Sequence, residues 1–381
     1  KTQLIPSVTN YFQAALKVKH PVTTKVTSTA TTICGLDTPA ALKSGVNADF
    51  FLIWYTKHST SSWLAITTAC ALGTSGDVKK PLIVKIGINS RLVDLADPVD
   101  DPLTHDLNIN TLMHETLHAL AVRSTLYKYY LDASGKLLKN HVNQLAIAGE
   151  TRTVLNLAPL TTRLRNFYNC NQIPGIIMEN DGGAHFERRY FVGELMSSGG
   201  SLESKMSEFS LAFLEGTGWY VPDYNYAEPY FFGKGEGCGF IYDSCDPATF
   251  SEFCEGKSLG CNTLGESGGY CNSDGKSEGC RFHISTSYFN CENPNGIYYT
   301  TFSSKQVYGR GLGSKCFAGN LTTSKTATVS PMSYCFTYDC LGTGSSTVLK
   351  VNFGTSSFNC TEKGNQVVSG YNGFVQCPDP V

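Results

Sequence analysis

The stretch Asn108–Ala121, NINTLMHETLHALA, sets the reading of the whole chain. It predicts one helix. Ile109, Met113, Leu117 and Leu120 recur at i, i+4, i+8 and i+11, an apolar stripe that would seat the helix firmly in a core. His114 and His118 are four residues apart, so they lie one above the other on an adjacent face, with Glu115 projecting beside them. Two neutral imidazoles stacked in this way can share one metal ion. The neighbouring carboxylate can then take a proton from a water on that ion.

This spacing is the HExxH pattern of zinc peptidases. Its plainer reading is a buried helix with two satisfied core histidines. Two ligands are too few for catalytic zinc, which takes three protein ligands and keeps one position open. The chain has eight histidines. Past the helix only His141, His185 and His283 remain. His185 follows Gly182-Gly183, a turn that lets the backbone bend in close, and it precedes an apolar segment ending in Met196. His141 falls in a polar stretch that reads as an exposed helical face, and His283 in a cysteine-rich part. A carboxylate on the next helix, Glu150, is the rival third ligand.

With 381 residues the chain is too long for one small core and suits two or three domains. Net charge is −2, so no strong field draws it to nucleic acid or to an anionic membrane. Fifteen cysteines, with no repeated zinc-finger pair, indicate an extracellular or secretory-pathway protein held by disulfides. The odd count leaves one thiol free, or a partner outside this segment. The chain opens without a secretory signal peptide and has no apolar run of membrane-spanning length, so its ends read as processed. Asn320-Leu-Thr and Asn359-Cys-Thr are glycosylation acceptors in principle.

In chain order, residues 6–18 predict an amphipathic helix, and Phe50–Tyr55 and Leu82–Ile88 predict strands. Cys34 and Cys70 are placed in loops between these elements. Residues 91–107, polar and acidic, lead into the histidine helix. Helices are expected around residues 137–166 and over Ser204–Gly216. From Gly233 the composition turns to Cys, Gly, Ser and Asn, which predicts a module with little regular core, held by bridges. The GKGEG run at 233–237 lacks the strand–loop–helix setting of a phosphate loop and reads as a turn beside Cys238.

The chain resembles the leishmanolysin family of metzincin zinc peptidases. His114, Glu115 and His118 match the first part of that family's motif. His185 through Met196, HFERRYFVGELM, matches the third histidine and the Met-turn in its ELM context. YFQAALKV, ICGLDTPA, TTAC, NFYNCNQIPG, AFLEGTGWY, FGKGEGCGF, YGRGLGSKCF and GFVQCP extend the similarity over nearly the whole chain. Ala121 departs from it, standing where the family usually has glycine. Alanine takes a left-handed turn only at a cost of about 1 kcal/mol or more, so the helix is expected to run on or bend differently there.

The resemblance implies an α+β fold in three parts. These are an N-terminal catalytic subdomain over 1–122 with a twisted sheet and the active-site helix, a central domain over 123–232 with the third histidine and Met-turn, and a disulfide-rich domain over 233–381. It implies the pairs Cys34–Cys70 and Cys170–Cys238, and a partner for Cys377 just past Val381. It also implies that the segment begins inside the mature chain, with no propeptide or inhibitory cysteine in view. The chemistry implied is hydrolysis of protein or peptide substrates by one zinc ion on His114, His118 and His185. Glu115 is the general base and Met196 an apolar floor. Tyr190 is a candidate oxyanion helper, though in a chain with 20 tyrosines packing is the better account. The other classes left open are a catalytically silent adhesion or surface-structural relative and a zinc hydrolase with a non-peptide substrate. Cleavage preference, membrane anchoring outside the segment and oligomeric state have no signal in the sequence.

Overall fold

Three strands and one long helix position the candidate site. In the computed structural model, which describes residues 4–75, 78–93, 102–199, 204–294, 296, 309–322, 332–343, 347–353 and 356–378, strands Phe51–Lys57 and Val78–Asn89 pair in parallel. Strand Ala65–Ser75 adds antiparallel to Val78–Asn89 as the third member. Phe51–Tyr55 and Leu82–Val84 within these strands are apolar on both faces because both faces are covered. Leu52, Trp54, Val84 and Ile86 pack with Ala65 and with Ala119 of the histidine helix. Phe51, Ile53 and Ile83 pack on the other side with Val26 and Leu42.

The histidine helix spans Pro102–Leu120, six residues longer at its start than the Asn108 beginning. Residues 94–101 of the acidic lead-in lie outside the described residues. Leu117 is fully buried, Met113 and Leu120 nearly so, and Ile109 partly exposed. The helix stops cleanly although position 121 is alanine. Ala121 and Val122 both donate their N–H to Leu117 O at 2.9 Å. Tyr220 and Tyr130 hydroxyls donate to the carbonyls of Leu120 and Ala121. Ala121 is not among the non-glycine residues at positive φ. The helix end is therefore satisfied by tyrosines and not by a left-handed residue, and the expected cost of alanine does not arise.

The first helix spans Leu4–Ala15. Several other expectations are corrected. Cys34 sits in a tight turn at φ 54°, as expected, but Cys70 lies within strand Ala65–Ser75, at a register shift between Ala69 and Ala71. Residues 137–166 are mostly not helical. Val142–Ile147 and Glu150–Leu155 form an antiparallel hairpin closed by Ala148 and Gly149, both at positive φ. That is the two-residue turn whose twist suits a hairpin. Helix begins only at Ala158, with Pro159 in its first turn, and runs to Tyr168. The later helix is shorter than expected, Glu208–Gly216, with Ser207 as its cap. Residues 232–235 are turn, followed by a short helix from Cys238.

The chain falls into two compact units. One comprises Lys1–Gly200, Ser204–Tyr230 and Lys234–Asp243, and the other Ser201–Glu203, Phe231–Gly233 and Ser244–Val381. The second has more regular structure than its composition predicts. Six strands lie in the order Ser356–Cys360, Val348–Phe353, Met332–Leu341, Ser314–Gly319, Val375–Cys377 and Gly364–Gln366. They enclose Phe317, Leu321, Tyr334, Phe336, Val351 and Val375.

Seven disulfides are formed. Cys34–Cys70 and Cys170–Cys238 lie in the first unit. In the second are Cys245–Cys280, Cys254–Cys271, Cys261–Cys316, Cys291–Cys335 and Cys360–Cys377. Cys377 therefore pairs inside the segment and not beyond Val381. The odd thiol is Cys340, exposed on its strand. No helix among the described residues is long and apolar enough to cross a membrane.

Candidate metal centre

His114 and His118 come from one helix face, and His185 arrives from a loop in the same unit. The Nε2 of His185 lies 3.2 Å from the Nε2 of His114 and 3.2 Å from that of His118. The three ligating atoms all lie within 4.8 Å of one another, the one such cluster of His, Cys, Asp or Glu among the described residues. Glycine makes the approach of His185 possible. Gly182 and Gly183 both take positive φ, 91° and 73°, which an L side chain resists. The loop is then pinned on either side of the histidine. Glu179 N–H donates to His185 O, Phe186 N–H donates to Met196 O, and Tyr127 OH donates to Gly183 O.

Each imidazole is oriented through its other nitrogen. His114 Nδ1–H meets Leu195 O at 2.6 Å, and His118 Nδ1–H meets Val122 O at 2.7 Å. His185 Nδ1–H meets the Asp181 carboxylate. A carbonyl or carboxylate can only accept, so each Nδ1 carries a proton, and a neutral ring then turns its Nε2 lone pair toward the other two. Three neutral rings so turned would face one another lone pair to lone pair, an arrangement that a cation among them relieves. This donor set fits a soft-to-borderline divalent ion such as zinc. Burial first, and the neighbouring imidazole of His185 next, hold the pKa of His114 down to about 4. Burial and His114 hold His118 well below its ordinary value. Both are neutral, as ligation requires.

Glu115 is nearly buried beside this cluster. Its Oε2 accepts from the Thr67 hydroxyl at 2.6 Å, and the same hydroxyl lies 2.9 Å from Glu115 O. Burial pushes the Glu115 carboxyl above its usual range, while the Thr67 hydrogen bond pulls it down. Arg123 donates from Nη2 to Thr67 O at 2.8 Å.

Met196 is fully buried in the turn that supplies Leu195 O to His114. Glu194 builds that turn. Its carboxylate accepts from Met196 N–H and from the Ser207 and Ser210 hydroxyls. Burial pushes the Glu194 pKa from 4.5 up to about 7 against those hydrogen bonds. A folded-state pKa raised in this way stabilises the chain most at low pH. The contribution is lost as pH rises from the unfolded value through about 7. Glu194→Gln keeps one of the two accepting oxygens and fixes the neutral form, so its constant cost drops out of the pH dependence. The melting temperature of the wild type relative to this variant should therefore fall between about pH 5 and about pH 8, and a flat difference would contradict the assignment.

The remaining candidates stand elsewhere. Glu150 is not on a helix but opens the second hairpin strand, exposed and outside the cluster. His141 is not on an exposed helix. It is buried ahead of the hairpin, where its Nε2 donates to Tyr127 O at 3.0 Å. His283 lies in strand Phe282–Asn290 of the second unit, outside the cluster. Tyr190 is fully buried, with its hydroxyl given to Ile241 O, so packing is its role. Sequence reasoning missed Thr67, Asp181 and Glu194. Asp181 carried a usable signal, four residues before His185 across Gly-Gly. Thr67, 48 positions from Glu115, carried none.

A fold of mixed helices and strands stapled by seven bridges brings three histidines together beside a carboxylate, a donor set able to hold a metal ion. The leishmanolysin family model matches residues 1–309, and the chain belongs to that family. It is 26% identical over 372 residues to the ciliated left-right organizer metallopeptidase of Mus musculus, covering 87% of this chain and 50% of the relative. It is 27% identical over 355 residues to the protein of that name in Danio rerio, covering 87% and 55%. A leishmanolysin-like peptidase of Caenorhabditis elegans is 26% identical over 249 residues, covering 55% and 36%. The chain thus spans about half the length, or less, of the curated relatives it matches.

Proposed function

We propose that the chain is the catalytic part of a zinc-dependent endopeptidase of the metzincin type acting outside the cytosol. The observation that carries this reading is the convergence of three Nε2 atoms, each ring fixed by an acceptor on its Nδ1. His114, His118 and His185 would hold the ion. When bound, zinc supplies a Lewis acid that acidifies water toward about pH 7 and polarises a carbonyl.

Glu115 does the proton work. One carboxylate oxygen is occupied by Thr67. The other takes the proton of the attacking water and passes it to the nitrogen of the leaving amine. Met196 fills the apolar interior of the turn that orients His114. Segment 1–122 supplies the base and two ligands, 123–232 the third ligand and Met196, and 233–381 a disulfide-held module. Among the two glycosylation acceptors, Asn359 is exposed, and Asn320 is half-buried with its carboxamide oxygen accepting from Phe374 N–H. The seven bridges support an extracellular or cell-surface setting.

The test is cleavage of an unstructured protein such as casein. Purified chain is expected to cleave it, to lose the activity when a chelator strips the metal, and to regain it when zinc is restored. Stoichiometric zinc without cleavage, in chain freed of any propeptide, would favour the silent adhesion or structural role.

A further inference from the structure

We propose that Thr67 is a positioning residue for the general base, holding the Glu115 carboxylate against the sheet so that one oxygen stays free for water. The inference rests on the peptidase reading above and deepens it.

Thr67 lies on strand Ala65–Ser75, paired with Ile86 across the sheet, and is buried. Ala65, two residues away on the same strand face, packs in the cluster that contains Ala119 of the histidine helix. Thr67 is thus on the face turned toward that helix. Its hydroxyl oxygen is 2.6 Å from Glu115 Oε2 and 2.9 Å from Glu115 O. One side chain therefore grips the same residue at both its backbone and its carboxylate. The hydroxyl has a single proton, and the shorter distance to the charged oxygen makes the carboxylate the stronger acceptor.

The strand is held in turn by Arg123, just past the helix, which donates to the carbonyl of Thr67. Helix and strand are thereby tied at the two ends of Thr67, its carbonyl and its hydroxyl. A glutamate has three side-chain torsions, and in this buried site the Thr67 hydroxyl donates directly to its carboxylate, while Arg123 acts on it electrostatically. Removing the hydroxyl leaves Glu115 in place on the helix but frees its carboxylate to rotate. A general base must lie within hydrogen-bond reach of its proton, and a misplacement of about 1 Å costs on the order of a hundredfold in rate.

Three variants of the zinc-loaded chain test this on a fluorogenic peptide cleaved by the wild type. Thr67→Val keeps the shape and removes the hydroxyl. It is expected to lower kcat about tenfold to a hundredfold with KM within about twofold of wild type. Zinc content and melting temperature should stay close to wild type. Thr67→Ser, which keeps the hydroxyl and loses the methyl, should recover most of kcat. Thr67→Ala should resemble Thr67→Val. A crystal structure of Thr67→Val should show the Glu115 carboxylate turned away from its wild-type orientation.

Wild-type kcat in Thr67→Val overturns the proposal, as does an unmoved Glu115 carboxylate. So does a Thr67→Ser variant no better than valine, since packing and not the hydroxyl would then be responsible. If the zinc-loaded wild type itself cleaves no peptide, the peptidase reading fails, and this proposal fails with it. Cleavage by wild type and Thr67→Val alike removes only the role of Thr67.

Discussion

Glu115→Gln is expected to retain zinc and fold while peptide turnover falls by about 10²–10⁴-fold. Glutamine has the shape of glutamate, and its carbonyl oxygen can still accept from the Thr67 hydroxyl, which lies 2.6 Å from Oε2. It cannot accept a proton from water. Burial already disfavours charge at this position, so the neutral side chain should not lower the melting temperature. Because the three Nε2 atoms belong to other residues, metal content measured by atomic spectroscopy should match wild type. Turnover near the wild-type rate would show that another group is the base.

His185→Ala should have the largest effect on the metal. It leaves His114 and His118 with two lone pairs and an open side, and zinc affinity should fall by more than the roughly 10–100-fold typical of losing an outer partner. Asp181→Asn removes only the carboxylate on His185 Nδ1 and should fall within that smaller range. His141→Ala and His283→Ala should keep wild-type zinc affinity, since neither belongs to the cluster. His141→Ala should instead lower stability, because it empties a buried position and removes one of the two donors to Tyr127 O, leaving only the Tyr130 N–H. Competition against a chromogenic chelator separates these outcomes. A His185→Ala chain with wild-type affinity would remove the third ligand from the scheme.

The misread segments share one physical cause. Residues 142–155 contain enough helix-forming residues to suggest a helix, but VNQLAI alternates in burial like a strand, and Ala148-Gly149 can turn left-handed. The six-stranded sheet of the second unit was hidden by its Cys, Gly and Ser content. Its core of Phe317, Tyr334, Phe336 and Val351 is drawn from strands far apart in sequence. Disulfide pairing is equally non-local. Cys360 and Cys377 meet across the sheet with Cα atoms 5.5 Å apart, and nothing in either residue's neighbourhood announces it.

What could be read directly was what is written in short-range periodicity and composition. The four-residue step placed His114 and His118 on one helix face, the Gly182-Gly183 turn singled out His185, and fifteen cysteines indicated a bridged chain. Only tertiary structure decided which nitrogen of each imidazole carries the proton. Those choices rest on Leu195 O, Val122 O and the Asp181 carboxylate, and every residue has a backbone carbonyl, so two of the three leave no trace in the sequence. The grip of Thr67 on Glu115 is of the same kind. It depends on a strand and a helix 48 positions apart coming within 2.6 Å, a distance set by how Ala65, Val84, Ile86 and Ala119 pack between them.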